Sequence, residues 1–127
     1  MRRFYTWPVR NRYSIAYLVV SSLFLSFFSC SAPSIEMQIQ NSTSAEILNI
    51  EISNHNKELT TNTFSLAPGE KLTKHLDFSH ASVMDGSYLL SIGADQRKSF
   101  GYYTNGLPLE KGYHLEIKSD TVIINSF

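Results

Sequence analysis

The sequence predicts an all-β fold, an antiparallel sandwich of about seven or eight short strands spanning residues 35–127. Apolar and polar residues alternate with period two from Ile35 onward, which is typical of strands with one buried and one solvated face. Turn-forming residues recur at intervals of roughly eight to twelve positions, as expected for a sandwich. No stretch after Cys30 has the apolar spacing of an amphipathic helix.

The first half of the domain predicts four strands, with a turn at Pro68-Gly69 before the last of them. Proline presets φ for the first central position of a turn, and glycine accepts the positive φ of the second. Strict alternation in the second strand places Leu48, Ile50 and Ile52 on one side and leaves Ile47 as an exception. The threonine-rich third strand suits a sheet edge. These strands are expected at Ile35–Gln40, Glu46–Ser53, Leu59–Leu66 and Lys71–Phe78.

The second half predicts four more strands after a polar connection, residues 79–86, that contains Val83 and Met84. Alternation in the second of these strands would bury Phe100 and Tyr102 and turn Tyr103 outward. Ser119-Asp120 predicts a tight hairpin between the last two strands. These strands are expected near Tyr88–Gly93, Lys98–Thr104, Tyr113–Lys118 and Thr121–Asn125.

A separate segment precedes this domain. Residues 1–29 contain four arginines and no acidic residue, and an apolar run extends from Ile15 to Phe28. A basic start, a short apolar core and small residues after it predict an export signal, folded as a helix. The run is shorter than the roughly 20 residues that cross a bilayer. Pro33 also disfavours extending the helix beyond it.

Phe27-Phe28-Ser29-Cys30 resembles a bacterial lipobox, in which a small residue precedes a cysteine that is acylated and becomes the new N-terminus. Leucine, valine or isoleucine is more usual where Phe27 stands, and a smaller residue where Phe28 stands. The resemblance implies lipidation at Cys30, attachment to a membrane, and a short tether over residues 30–34. Several acyl chains would make that attachment stable. Ordinary secretion, with cleavage near Ser29 or Ala32, remains the alternative.

Removal of residues 1–29 changes the charge of the protein. The full chain has 11 basic and 11 acidic residues, and the loss of four arginines leaves a net charge of −4. The remaining basic residues are scattered, and only Arg97-Lys98 are adjacent. Proteins that bind nucleic acid present basic patches to phosphates, so no nucleic-acid partner is expected. Cys30 is the only cysteine, which excludes an intrachain disulfide.

Asp85-Gly86-Ser87-Tyr88 resembles the start of a late strand in immunoglobulin-like and fibronectin-type domains, where the tyrosine hydroxyl fixes a corner. This resemblance implies an immunoglobulin-like sandwich. It covers most of residues 35–127 in pattern and these four positions in motif. The chain as a whole resembles short sandwich lipoproteins of Gram-negative bacteria. That class implies attachment to the outer membrane facing the periplasm, because Ser31 replaces the aspartate associated with inner-membrane retention.

Two groups of residues are candidates for binding. The first is an aromatic and apolar loop, where tyrosines would supply stiff contact area, and its candidate contacts are Tyr102, Tyr103, Asn105, Leu107 and Leu109. The second is a weak metal site in which His75 and Asp77, two positions apart in sequence, are joined by His114 from another strand. No Gly-x-Ser-x-Gly motif is present, and the candidate carboxylates Asp85, Asp95, Glu110 and Asp120 all fall at turns, so neither an enzyme nor a cofactor is expected.

Three functions therefore remain open from the sequence. The first is a lipid-anchored, non-catalytic binding or accessory module that contacts an envelope protein or glycan. The second is a periplasmic metal carrier that uses surface histidines. The third is a structural lipoprotein with no specific ligand.

Overall fold

The computed structural model describes residues 31–127, so the predicted signal helix and Cys30 lie outside the described residues. The described part is all-β and forms two sheets, one of four strands and one of five. Its strands are β1 Ser34–Asn41, β2 Ile47–Asn54, β3 Phe64–Leu66, β4 Lys71–Asp77, β5 Gly86–Ile92, β6 Gln96–Thr104, β7 Leu107–Pro108, β8 Gly112–Ile117 and β9 Val122–Ser126. The prediction of an all-β fold is confirmed.

The four-stranded sheet has the order β4-β1-β8-β9. β1 pairs antiparallel with β4, from Ser34 opposite Asp77 to Gln40 opposite Lys71. On its other side β1 pairs in parallel with β8, where Glu36 lies opposite Gly112. The expectation of a wholly antiparallel arrangement is therefore wrong at this pair. The chain between β1 and β8 passes through the second sheet and returns in the same direction, and alternation within each strand contains no trace of that route.

The five-stranded sheet has the order β3-β2-β5-β6-β7 and is antiparallel throughout. β3 is only three residues long and lies at one edge, as the threonine-rich sequence around it predicted. The two-residue β7 forms the other edge, where Pro108 can be accommodated because an edge strand leaves one row of N–H groups unpaired.

The inner faces of the two sheets share one apolar core. Alternate residues of β1, namely Ile35, Met37 and Ile39, are almost completely buried. They pack with Ile50 and Ile52 of the second sheet in the same cluster. Full burial of each such side chain contributes about 1.5–3 kcal/mol. Period-two alternation was therefore a sound guide to the core in β1.

A bulge in β2 changes the predicted faces of that strand. Ile47 pairs with Leu66 and Ile50 with Phe64, so β2 contains one residue more than β3 over this interval. Asn49 accommodates the extra residue with a φ of 56°, a conformation that asparagine adopts more readily than most residues. Leu48 is consequently 56% exposed, and Ile47 packs against the core. The prediction that Leu48 shares a face with Ile50 and Ile52 is wrong for this reason.

A second bulge, in β6, reverses the prediction for the two tyrosines. Tyr88 pairs with Phe100 and Gly86 with Tyr103, so three steps along β6 oppose two along β5. Gly101 lies at the extra position with a φ of 57°. A Cβ atom there would lie 2.6 Å from the Tyr113 ring and 2.9 Å from Tyr88, so glycine is required for space as well as conformation.

As a result of this bulge, Tyr103 is buried, with 6% of its surface exposed, and Tyr102 is 51% exposed. The prediction of a buried Tyr102 and an outward Tyr103 is therefore wrong. Phe100, which precedes the bulge, is buried as predicted.

Aromatic rings fill one part of the core. Tyr88 lies at the centre, with ring centroids 5.6 Å from Phe100, 5.6 Å from Tyr103 and 5.7 Å from Tyr113. Its hydroxyl is buried and has no hydrogen-bond partner among the described residues. Burial and the neighbouring Tyr113 and Tyr103 raise the pKa of Tyr88 well above its ordinary value. The expectation that the Tyr88 hydroxyl fixes a corner is wrong.

The turns agree with the sequence. At Pro68-Gly69, Gly69 has a φ of 76° and the Glu70 N–H donates to the Ala67 carbonyl at 3.0 Å, as in a type II turn. In the β8–β9 hairpin, Lys118 N–H donates to the Thr121 carbonyl at 2.8 Å across Ser119-Asp120.

A buried asparagine connects the two sheets at the end of β1. The Asn41 side-chain amide donates to the carbonyls of Ala45, Leu66 and Ala67 at 2.8, 2.9 and 3.1 Å. Its carbonyl accepts from the N–H of Thr43 at 2.9 Å. One fully buried side chain therefore holds the loop after β1 against the end of β3.

Candidate functional site

The predicted contact loop is a β-hairpin between β6 and β7. Thr104 pairs with Leu107, and Asn105 and Gly106 form the two-residue turn with φ values of 52° and 68°. Two consecutive positive φ values characterise a type I′ turn, for which Asn-Gly is the preferred sequence. The turn fixes the directions of the side chains on either side of it.

The loop between β4 and β5 lies against this hairpin. Asp85 accepts hydrogen bonds from the Thr104 hydroxyl at 2.6 Å and from the Asn105 N–H at 2.9 Å. These two bonds, led by the one from Thr104, lower the pKa of Asp85. The Gly106 N–H donates to the Met84 carbonyl at 2.9 Å, and a Cβ at Gly106 would lie 2.6 Å from the Ser82 carbonyl. The two segments thus form one unit.

Two further carboxylates hold the same loop. Glu58 accepts from the Ser82 hydroxyl at 2.7 Å and from its N–H at 3.1 Å, and these bonds lower the pKa of Glu58. Asp77 accepts from the hydroxyl and the N–H of Ser79, which lowers its pKa as well. Both acids therefore remain ionised and serve to order the loop that follows β4.

Large apolar side chains are exposed on this unit. Val83 is 80% exposed, and Leu107 and Tyr102 about half exposed. In an antiparallel pair, opposite residues share a face, so the β6–β7 register places Leu107 on the outer face with Thr104. Leu109 follows directly after β7 and is also more than half exposed. The exposed apolar residues of this unit form one patch, which comprises Val83, Met84, Tyr102, Leu107 and Leu109.

The patch lies at the end of the domain where the described chain begins. The Phe78 N–H, directly after β4, donates to the Pro33 carbonyl at 2.8 Å, directly before β1. Residues 79–85 therefore leave β4 beside Pro33 and continue to the β6–β7 hairpin. We call this the Pro33 end of the domain, and we call the exposed apolar surface on it the Pro33-end patch.

Three of the five residues predicted as contacts, Tyr102, Leu107 and Leu109, are part of this surface. Asn105 forms its turn. Tyr103 faces the core instead, where its hydroxyl accepts from the Asn54 side-chain amide at 3.0 Å.

Sequence reasoning missed Val83 and Met84 as part of the surface. The available signal was two adjacent apolar residues within an otherwise polar connection between strands. Val83 and Met84 lie close to Leu107 because hydrogen bonds connect segments about 20 residues apart, and no local pattern encodes such contacts.

The residues of the predicted metal site are not brought together. His75 lies opposite Glu36 in β1, and His114 lies opposite Gln38 on the other side of β1. The two histidines are therefore two strands apart and offset by two positions, on the order of 12 Å from the spacing of sheets. Asp77 is hydrogen-bonded to Ser79. Within residues 31–127, no group of three or more His, Cys, Asp or Glu residues could hold a metal ion.

An open cleft of about 410 Å³ lies at the opposite end of the domain. Its lining includes Arg97 and Lys98 of β6 and the residues of the β8–β9 turn. Lys98 Nζ donates to the Val122 carbonyl at 2.7 Å and so connects the two sheets there. None of the residues predicted as partner contacts or metal ligands lines this cleft.

Comparison of the chain with protein-family models, curated proteins and solved structures gave no significant match. Over residues 31–127, the structure has no helix of the length and apolar character needed to span a membrane.

Proposed function

We propose that this chain is an exported, lipid-anchored cell-envelope protein whose domain is a non-catalytic binding or accessory module. Residues 1–29 would be the export signal, Cys30 the acylated residue, and residues 30–34 the tether. Residues 35–127 would form an immunoglobulin-like sandwich. The presence of serine at position 31 supports attachment to the outer membrane, facing the periplasm.

The observation that carries the binding role in this proposal is the Pro33-end patch. Soluble monomers rarely expose large contiguous apolar patches, and such patches mark sites of interaction with proteins, ligands or membranes. Here a type I′ turn and the hydrogen bonds of Asp85 hold the backbone of the hairpin in place, so its apolar side chains project from an ordered surface. A rigid apolar surface favours binding over catalysis.

The state of the nearby acids supports a non-catalytic role. General acid–base catalysis works best with groups whose pKa lies near the operating pH. Glu58, Asp77 and Asp85 have instead lowered pKa values, caused by hydrogen bonds from their own loops. Such carboxylates remain charged at neutral pH and are engaged in hydrogen bonds within the fold.

The anchor is tested by mass spectrometry of the N-terminal peptide of the mature protein, purified from membranes. We expect the mature chain to begin at Cys30 and to carry a diacylglycerol and an acyl chain. The variant Cys30→Ser should lose membrane attachment in cell fractionation. An unmodified Cys30, or a mature chain that begins after it, would refute lipid anchoring.

The role of the patch is tested by complementation of a deletion strain that has an envelope defect. The double variant Val83→Ser/Leu107→Ser should fail to restore the envelope, whereas Leu48→Ser, at the opposite end of the domain, should restore it. Both variants must first be shown to fold and to be lipidated. Restoration by both would favour a structural lipoprotein without a specific ligand.

A further inference from the structure

We infer that the Pro33-end patch lies in the interfacial region of the same bilayer that holds acylated Cys30, so that its partner is the lipid surface. This inference rests on the proposed function, because the lipid anchor determines which end of the domain faces the membrane. It names the ligand that the proposed binding module contacts.

The first argument is the reach of the tether. Pro33 is already fixed to the domain by its hydrogen bond with Phe78. Only three peptide steps separate Cys30 from Pro33, and extended chain spans at most about 3.6 Å for each step, or about 11 Å in total. An amphipathic surface contacts a bilayer by entering about 5–10 Å into its interface. An acylated Cys30 would therefore hold the Pro33 end within reach of the headgroups.

The second argument is the distribution of exposed apolar residues over the domain. Eight large apolar side chains are exposed in the described residues, and only Leu48 and Ile123 lie at the end opposite Pro33. Leu48 is six positions along β2 from Asn54, which lies beside the patch, and six strand steps correspond to about 20 Å. The exposed apolar surface is thus concentrated at the end that the tether would bring to the membrane.

The third argument concerns the space available to any other partner. A protein that covered the patch would have to enter between the domain and the bilayer. The gap allowed by the tether, about 11 Å, is no wider than one α-helix with its side chains, about 10–12 Å. The half-exposed Tyr102 also suits an interface, because tyrosine combines an apolar ring with a polar end.

The charges at this end determine what kind of lipid contact is expected. Glu58, Asp77 and Asp85 are acidic and, with lowered pKa values, ionised at neutral pH. Glu110 also lies at this end, and the basic residues there are Lys57 and Lys111. Because the acids outnumber the bases, the net charge provides no attraction to anionic headgroups. The contact should therefore be apolar, insensitive to salt, and no stronger on anionic than on zwitterionic lipid.

The test uses the mature, lipidated protein in phosphatidylcholine vesicles. The sole tryptophan of the chain, Trp7, lies in the predicted signal, so the mature protein offers a background free of tryptophan. The variant Val83→Trp places a fluorophore in the patch, and Leu48→Trp places a matched one at the opposite end; both positions are more than half exposed. Each variant is measured in vesicles with and without lipid brominated on the acyl chain.

We expect the emission of Val83→Trp to shift to shorter wavelength on vesicles and to be quenched several-fold more strongly than that of Leu48→Trp. The difference should persist at about 0.5 M NaCl, where the screening length is only a few ångströms. Equal quenching of both variants would overturn the inference. So would shielding of Val83→Trp that requires added envelope proteins, since that result would assign the patch to a protein partner.

Mass spectrometry of the same samples separates this inference from the proposed function. An unmodified Cys30 refutes the anchor itself. An acylated Cys30 together with an unquenched Val83→Trp refutes only the contact between the patch and the bilayer.

Discussion

Two tyrosines that lie side by side in the core should respond in opposite ways to the same substitution. The hydroxyl of Tyr103 accepts a hydrogen bond from the buried Asn54 side-chain amide at 3.0 Å. The hydroxyl of Tyr88 is buried without a partner among the described residues. The variants Tyr103→Phe and Tyr88→Phe each remove one oxygen atom, so the difference between them isolates the hydrogen bond.

The magnitudes follow from the state of the partners. Tyr103→Phe leaves the Asn54 amide without its acceptor, and an unsatisfied buried donor costs about 1–3 kcal/mol. Asn54 remains fixed because its carbonyl accepts from the Leu59 N–H at 3.0 Å, so it cannot readily turn toward water. Tyr88→Phe removes a polar group that has no bond to lose, and the free energy of unfolding should stay constant or rise by roughly 1 kcal/mol.

The assays are urea and thermal unfolding of the variants, each followed by circular dichroism. For a domain of this size, 1 kcal/mol corresponds to about 4–8 °C in Tm. Tyr103→Phe should therefore lower Tm by about 5–20 °C, and Tyr88→Phe should leave it unchanged or raise it. A loss of stability in Tyr88→Phe equal to that in Tyr103→Phe would refute the reasoning, because it would mean that the Tyr88 hydroxyl makes a bond.

Three further predictions concern the bulge, the buried asparagine and the acidic end. Gly101→Ala should destabilise the domain by about 2–5 kcal/mol, because its Cβ meets two tyrosine rings. Gly93→Ala, with a similar φ and open space, should cost only about 1–2 kcal/mol in the same urea titration. Asn41→Ala should lower the free energy of unfolding by about 2–4 kcal/mol, since the carbonyls that its amide serves lose their donor; an effect below about 0.5 kcal/mol would contradict this. Hydrogen bonds from Thr104 and Asn105 lower the folded pKa of Asp85 below its ordinary 3.8, so its ionised form stabilises the folded state. This contribution is present above pH 3.8 and is lost as the pH falls through the folded pKa. Asp85→Asn should therefore weaken the loss of stability in acid, measured by thermal melts from pH 7 to pH 2.

Local patterns were sufficient wherever one strand face is buried without interruption. In β1, alternation identified Ile35, Met37 and Ile39 as core residues, and all three are buried. The Pro68-Gly69 turn was also predicted correctly, because the residues that determine it are adjacent in sequence.

The failures share one physical cause. A single extra residue in a strand reverses every face that follows it, and Asn49 and Gly101 are such residues. Alternation therefore assigned Leu48 and Tyr102 to the core and Tyr103 to solvent. The sequence predicted only part of the Pro33-end patch. Tyr102, Leu107 and Leu109 are close in sequence, whereas Val83 joins them through contacts between distant segments.

The parallel pairing of β1 with β8 has a consequence for how the chain is made. β1 lies between β4 and β8, and Glu36 cannot pair with Gly112 until the residues up to β8 have been synthesised. Closing so long a loop carries an entropic cost, and folds dominated by such distant pairings form slowly. The first sheet is therefore incomplete until β8 and β9 are available. If the chain is exported as proposed, this late pairing would keep the first sheet open until β8 has crossed the membrane.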